Sequence, residues 1–557
     1  MSDRRITFSP AYRWTSLVGA GLRTYLAGRV SLLSHTRHWQ ENSAGIQLAQ
    51  LRNLLRQASA TEIGRKHGFA RLAALDQPDL LNAYRAEVPV ADWYAYQNEI
   101  RRMREGGEAD VLWTGRVQDF AQTSGTTAGD KFIPVSREML RSNFLASLDI
   151  FANLHRFGVS LPRMLAGKSL FLGGSTDLTP NEHGIRTGDL SALVTPLIRW
   201  PLSEIYLPGP QIALMSHWPS KIEAMAQRCL DEDVRMVSGM CSWGLVLFER
   251  VLALAREKGR KADVITDVWP NFKVFVHGGV KYAPFDPRVR QIYSGSATGG
   301  DIPCRLELYP ASEGFIAIQD KAGDPGLRLL TDIGTFAEFV PLEEINSTSP
   351  RACTCWEVEK GQKYVVVLST CAGLWRYVLG DVVEFDTIPD KPLHLGGGGG
   401  DGPARLRIVG RHRHFVNAFG ENLIVEHIEN AVADASRETG LMVGEFTAAP
   451  VYPSESTRAG LELVVEAGDG RVDAAVIRAF RDAFDASLKK QNVDYTTKRT
   501  DGFGMVEPSI TPVPAGTFHR WLESRGKLGG QHKCPRCANS REIVEAIRAI
   551  AATNGIT

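Results

Sequence analysis

The middle of the chain constrains the fold most. Short β-branched and aromatic runs recur there, at Lys273–Val276, Phe315–Ile318, Thr335–Val340, Tyr364–Leu368, Val382–Phe385 and Leu406–Val409. Helical stretches such as Pro219–Leu230 and Ser242–Glu257 accompany them. Strands and helices mixed at this density predict a layered α/β domain. Residues 1–110 read instead as helical. Apolar residues at positions 48, 51, 54 and 55 have helical spacing, Pro89 interrupts the pattern, and a second helix is expected over Ala91–Arg104.

After about residue 410 the pattern restarts. Helices are predicted over Asn422–Arg437, Val472–Leu488 and Ser540–Ala551, with strands at Leu461–Glu466 and Phe503–Ile510. That is a compact α+β unit. A chain of 557 residues also exceeds the roughly 250–300 at which single cores stop growing. The predicted division is a large multi-layer amino-terminal domain, 1–409, and a smaller carboxy-terminal domain, 410–557. Between two predicted strands, Thr387–Ala404 carries Pro389, Pro392, Pro403 and the run Gly396–Gly400. It reads as a flexible surface loop rather than a helix or strand. Nor is it a nucleotide loop, because no Lys or Ser/Thr and no helix start follow the glycines.

Composition removes several function classes. The formal net charge is +1, whereas a duplex nucleic-acid binder normally carries a basic surplus. Eight cysteines are too few for a disulfide scaffold, so a reducing cytoplasm is expected. No stretch approaches the 18 or so apolar residues of a membrane span. Tyr12–Leu33 is the nearest to a targeting signal, but Arg13, Arg23 and Arg29 break it. An amphipathic helix packed on the body is expected there, with a peripheral membrane contact as the rival.

The strongest local signal is Thr123-Ser124-Gly125-Thr126-Thr127-Ala128-Gly129-Asp130-Lys131. Glycines expose amide hydrogens to a close ligand, hydroxyls donate to phosphate oxygens, and the lysine adds a compact positive charge. One charge pair at about 4 Å is worth roughly 4 kcal/mol at an effective dielectric near 20. The spacing is not that of the Walker loop, since three residues separate Gly125 from Gly129 and Phe132 follows Lys131. By composition alone a solvated polar turn remains a rival. Two further segments carry carboxylates beside predicted strands, Tyr309–Gly314 with Ser312 and Glu313, and Gly373–Asp381. A carboxylate at a strand end is well placed to hold a ribose or a metal ion, although either residue alone reads equally as a turn.

Together the three segments resemble the plant auxin-responsive acyl acid amido synthetase family, within the acyl-CoA synthetase/firefly luciferase-like superfamily of adenylate-forming enzymes. Thr123–Lys131 matches the family's phosphate motif, Tyr309–Glu313 its Tyr-x-x-Ser-Glu, and Tyr377–Asp381 its Tyr-x-x-Gly-Asp. Glu62–Phe69, Val88-Pro89-Val90, Pro514–Phe518 and Gln531–Cys537 look like its flanking segments, so the resemblance spans roughly residues 45–540. It implies a non-plant acid–amino acid ligase with a mobile carboxy-terminal domain. Gly410-Arg411-His412-Arg413 stands at the expected hinge, and Gly420, Glu421 and Glu426 look like the pattern that follows it.

The roles that follow are those the resemblance implies. The substrates are ATP with Mg²⁺, a small carboxylic acid and an amine, an amino acid being expected, handled by a monomer. Ser124, Gly125, Thr126, Thr127 and Lys131 hold the β- and γ-phosphates. Glu313 holds the metal, with Ser312 beside it. Tyr309 lies against the adenine, and Tyr377 belongs to the same nucleotide site. Asp381 accepts from the ribose, assisted by Arg411, and Lys533 stabilises charge at the α-phosphate. The acyl pocket is bordered by Trp269–Tyr282 and Thr331–Val340, with His277 and Phe336 as lining or core residues. Cys353-x-Cys355 and Cys534-x-x-Cys537 suggest zinc, but the resemblance explains the second pair without a metal. An acyl-CoA ligase is the alternative, although Ala128–Lys131 lacks the Pro-Lys-Gly ending common there, and a catalytically silent nucleotide-binding protein is the second.

Overall fold

The computed structural model describes residues 5–9, 13–123, 131–173, 178, 180–195, 198–215, 218–279, 282–412, 415–416, 423–451, 460–468, 471–492, 495–496, 499, 505–526, 533–538 and 540–553. Contacts divide the chain into two compact units. The first is Met1–Met240, Arg250–Gly279 and Ile302–Ile408, and the second is Cys241–Glu249, Val280–Asp301 and Val409–Thr557.

The first unit is built on an eleven-stranded sheet. Tyr206–Leu207, Lys168–Phe171, Val234–Gly239, Val274–Gly278 and Cys304–Ala311 run parallel. Beyond Cys304–Ala311 the sheet turns antiparallel, passing in order through Gly314–Gln319, Leu327–Leu329, Arg405–Arg411, Tyr377–Thr387, Lys363–Thr370 and Thr335–Pro341. Parallel strands are buried on both faces and so read as continuous apolar runs, as Val274-Phe275-Val276 does. The strands Lys168–Phe171 and Tyr206–Leu207 are too short to show any period. Val234–Gly239 is masked by Arg235, which is buried and paired to Asp233 at 2.6 Å.

Helices Thr36–Gln57, Gln77–Glu87 and Trp93–Glu105 share one core with the antiparallel half of the sheet, through Leu48, Leu51, Leu80, Ile100, Phe336, Val366 and Trp375. Gln47 fixes the first of these helices to the sheet. Its amide donates to Thr331 O at 2.7 Å and Thr335 O at 3.0 Å, and its carbonyl accepts from Ala337 N at 2.9 Å. The helix before Pro89 stops at Glu87, because the residue ahead of a proline is pushed out of the helical region.

The glycine-rich segment has a defined path rather than none. A 3₁₀ turn forms at Leu393–Leu395, and Gly396, Gly397, Gly398 and Gly399 follow with φ of 98°, 62°, 65° and 85°. Only glycine visits this region freely over consecutive residues. Asp390 N donates to Gln40 O at 2.9 Å, and Lys360 meets Asp401 at 2.5 Å. Composition marks such a segment as irregular but cannot show hydrogen bonds made to residues far away in sequence.

In the second unit Phe446–Val451 pairs antiparallel with Gly460–Glu466, which pairs parallel with Ser509–Val513. Helices Val425–Thr439 and Ala474–Gln491 share a core with this sheet through Ile428, Val432, Leu463, Phe480 and Phe484. Thr517–Ser524 and Glu542–Thr553 build a second cluster, with Phe518, Trp521, Val544 and Ile547 packed around Val464. The strand expected over Phe503–Ile510 begins only at Ser509, directly after Pro508. It lies at the sheet edge, where Pro512 is tolerated.

Candidate active site

Two of the sequence motifs meet across the large sheet, one of them on the last of its parallel strands. Tyr309 lies inside Cys304–Ala311 rather than after it, opposite Ala317, with a register shift between Tyr309 and Pro310. Its hydroxyl donates to Asp381 Oδ2 at 2.7 Å, and both side chains are buried. Asp381 sits in Tyr377–Thr387 and follows Gly380, whose φ of 95° suits glycine. The contact joins residues 72 positions apart.

Ser312 and Glu313 are the two residues between Ala311 and Gly314, which pair across the hairpin. Both are buried. This turn lies at the carboxyl end of a strand whose two neighbours run in opposite senses. Val274–Gly278 ends beside Leu308, with His277 opposite Glu307 and Gly278 opposite Leu308. A Cβ on Gly278 would stand 2.6 Å from Leu308 O, so the close approach requires glycine. His277 is buried, and desolvation, with Arg305 nearby, pushes its pKa down to about 3. The imidazole is therefore neutral at neutral pH. Phe336 packs in the helix-covered core, 6.3 Å from the Tyr84 ring.

Lys131 opens Lys131–Val135, which pairs antiparallel with Asp119–Thr123 so that Thr123 stands opposite Lys131. Arg186–Gly188 adds a parallel third strand, tied by Arg186 to Asp119 at 2.7 Å. Ser124, Gly125, Thr126 and Thr127 lie outside the described residues.

The string from Gly373 to Arg376 packs into the core. Trp375 is buried 4.5 Å from the Phe69 ring. Arg376 takes a φ of 45°, which is uncommon for a residue with a side chain. The surroundings hold it there. Its guanidinium donates to Glu338 at 2.9 Å and to Val88 O at 2.7 Å, and its amide donates to Ser369 Oγ at 3.0 Å. Tyr377 opens Tyr377–Thr387, the strand that carries Asp381. It is fully buried in the helix-covered core, 6.3 Å from the Tyr96 ring, and its neighbours Arg376 and Val378 bond the backbone of Ala91.

Family models match most of the chain. The GH3 family N-terminal domain matches residues 33–196 and 161–298, its central domain residues 328–393, and its C-terminal domain residues 426–542. The chain belongs to the GH3 family. It is 25% identical to the probable indole-3-acetic acid-amido synthetase GH3.1 of Arabidopsis thaliana, over 91% of this chain and 91% of that protein. It is 23% identical to the jasmonoyl–L-amino acid synthetase JAR6 of Nicotiana attenuata, over 90% and 92%. A solved GH3.15 acyl acid amido synthetase shares the fold, with a TM-score of 0.72 at 19% identity over 94% of this chain and 95% of that one.

Two site candidates of this GH3 chain lie in the second unit. Arg411 ends Arg405–Arg411 and is exposed, as is Lys533, directly before Cys534. Arg413, Gly420 and Glu421 lie outside the described residues. Cys534 and Cys537 are buried free thiols whose pKa burial raises, so neither is a ready thiolate. Among the described residues no group of three or more His, Cys, Asp or Glu side chains stands close enough to hold a metal ion.

One buried cation had no signal in the sequence. Lys221 lies on Trp218–Cys229, and its ammonium donates to Gly173 O at 3.0 Å and Ala213 O at 2.7 Å. Burial pushes its pKa down to about 8, opposed by Asp189. Only the apolar spacing of Ile222, Met225 and Ala226 on the same helix hints that a neighbouring position could face inward.

Proposed function

We propose that this GH3 chain uses ATP to activate a small carboxylic acid as an acyl-adenylate, releasing pyrophosphate, and then passes the acyl group to the amino group of an amino acid. The products are an amide and AMP. The observation that carries this reading is the Tyr309–Asp381 contact beside Ser312 and Glu313, in a chain covered by GH3 amino-terminal, central and carboxy-terminal domains. The named relatives are amido synthetases for indole-3-acetic acid and for jasmonoyl conjugates.

On this reading Asp381 accepts from the ribose hydroxyls, as an ionised carboxylate can, and Tyr309 fixes its orientation. Lys131, with Ser124, Gly125, Thr126 and Thr127, neutralises the β- and γ-phosphates. Arg411 assists at the ribose, and Lys533 meets the charge that develops at the α-phosphate. Glu313 is the residue that would hold Mg²⁺. One protein carboxylate fits that task, since the metal usually keeps waters and takes its other oxygens from phosphates. Bound there, the metal would neutralise phosphate charge. The rest of catalysis is positioning of carboxylate, phosphate and amine. Residues 410–557 are the part expected to move against 1–409, and the reduced, buried cysteines fit a cytoplasmic enzyme.

The test is incubation with ATP, a panel of carboxylic acids, and either amino acids or coenzyme A. An amide with stoichiometric AMP supports the proposal. A thioester in its place would make the chain an acyl-CoA ligase, and no AMP with any acid would make it a silent nucleotide binder.

A further inference from the structure

Helix Thr15–Ser34 packs most deeply on the body along one side. Thr15, Gly19, Leu26 and Leu33 are buried, and Gly19 lies so close to the short helix Leu161–Met164 that a Cβ would stand 2.6 Å from Leu161 O. The opposite side presents Trp14, Leu17, Gly21, Tyr25 and Gly28. These positions fall within about a quarter of the helical circumference at 3.6 residues per turn. Trp14 stacks on Trp200 with ring centroids 5.9 Å apart. Trp14, Leu17, Tyr25, Trp200 and Leu202 are between 46% and 74% exposed. Isolated exposed apolar residues are ordinary, but a contiguous group of this size marks an interaction surface.

The charges around the patch decide its partner. Residues 13–34 contain three arginines and no acidic residue. Arg29 is spent inside the unit, on Asp149 at 2.7 Å and Asp332 at 2.6 Å. Arg13, Arg23 and, beside Trp200, Arg199 are exposed. None of the three forms an ion pair with another described residue, and Glu204 is the one acid on the adjoining 3₁₀ turn. Tryptophan and tyrosine favour the boundary between headgroups and acyl chains, and unpaired arginines add attraction to anionic lipid. A second copy of this chain would bring the same positive rim against itself.

We infer that the face formed by Trp14, Leu17, Tyr25, Trp200 and Leu202, ringed by Arg13, Arg23 and Arg199, docks on an anionic phospholipid surface. The contact is peripheral, since among the described residues no helix is long and apolar enough to cross a membrane. It is independent of the proposed chemistry and is read without substrate.

The test is co-sedimentation of the full chain with vesicles of phosphatidylcholine alone or mixed with phosphatidylserine. Binding is expected to the mixed vesicles, with partition about tenfold weaker on pure phosphatidylcholine and falling with added salt. Trp14→Ser with Trp200→Ser should abolish it. Arg13→Glu, Arg23→Glu and Arg199→Glu together should weaken it at least about tenfold, with the circular dichroism unchanged in both variants. No sedimentation with mixed vesicles, or sedimentation unchanged by both variants, overturns the inference. A stable dimer in solution that the tryptophan variant converts to monomer also overturns it, by making this face a contact between copies.

Discussion

The Tyr309 hydroxyl donates to Asp381 Oδ2 over 2.7 Å, from the last parallel strand of the large sheet to a strand of its antiparallel half. The bond is buried, so the carboxylate has little freedom to turn. A ligand that needs Asp381 as an acceptor finds it already oriented. Hydrogen bonds to charged groups are worth about 1.5–3 kcal/mol, so Tyr309→Phe should lower kcat/KM for ATP about 10–100-fold. The loss should fall mainly on KM, and Asp381→Asn should be worse. Steady-state kinetics varying ATP at saturating acid measures the split. An unchanged KM in Tyr309→Phe would detach the tyrosine from nucleotide binding.

Arg376 and Glu338 form a buried ion pair at 2.9 Å beside the motif string. Arg85 also reaches Glu338, at 3.1 Å. Removing one partner of such a pair typically costs about 3–5 kcal/mol, because the remaining charge stays buried. Glu338→Ala should therefore lower the urea midpoint sharply, and Glu338→Gln by less. A midpoint within error of the parent would show that the pair contributes nothing net.

How far this was legible in the sequence differs between the two halves of the sheet. The antiparallel strands alternate or carry long β-branched runs, and Thr335–Pro341 and Lys363–Thr370 follow the expected boundaries closely. The parallel half was largely hidden, because two of its strands are very short and a third contains the buried Arg235. Within the site, the motifs marked Tyr309, Glu313 and Asp381 but not that the first and third touch, since local pattern does not encode a contact across 72 residues. Arg376 shares the motif's conspicuous chemistry yet is bonded within the core. Lys221 carries no local pattern at all.

Glu466 gives the second unit a dependence on pH. Its carboxylate accepts from Phe518 N at 2.8 Å, but burial, with Glu445 nearby, pushes its pKa up from 4.5 to about 7. A folded-state value above the unfolded one means that the protonated form is the stabilising one. The contribution is complete below pH 4.5 and is lost as pH rises through about 7, with an upper bound of roughly 3 kcal/mol. Unfolding free energies at pH 5 and pH 8, compared with those of Glu466→Gln, should show the parent losing stability relative to the variant over that interval. Parallel pH profiles would refute the assignment.

Gly398 has a φ of 65°, and a methyl group placed on its Cα would meet nothing within 4 Å. Gly398→Ala therefore adds backbone strain without a clash, at a cost of about 1–2 kcal/mol. Gly373 has a φ of 96°, and its Cβ would stand 2.7 Å from the Leu112 backbone, so Gly373→Ala should cost more. The thermal midpoint should fall further in Gly373→Ala than in Gly398→Ala, and the reverse order would overturn the conformational explanation of the glycine run.

Acyl-adenylate formation by this GH3 chain is read most directly by acid-dependent exchange of labelled pyrophosphate into ATP. Exchange should appear only when a suitable carboxylic acid is present. It should drop about 10²–10³-fold in Lys533→Ala, the loss typical for one charge-stabilising donor, with folding intact. Exchange that is absent across the whole acid panel, or that proceeds equally well without any acid, would rule out adenylation of a carboxylate by this chain.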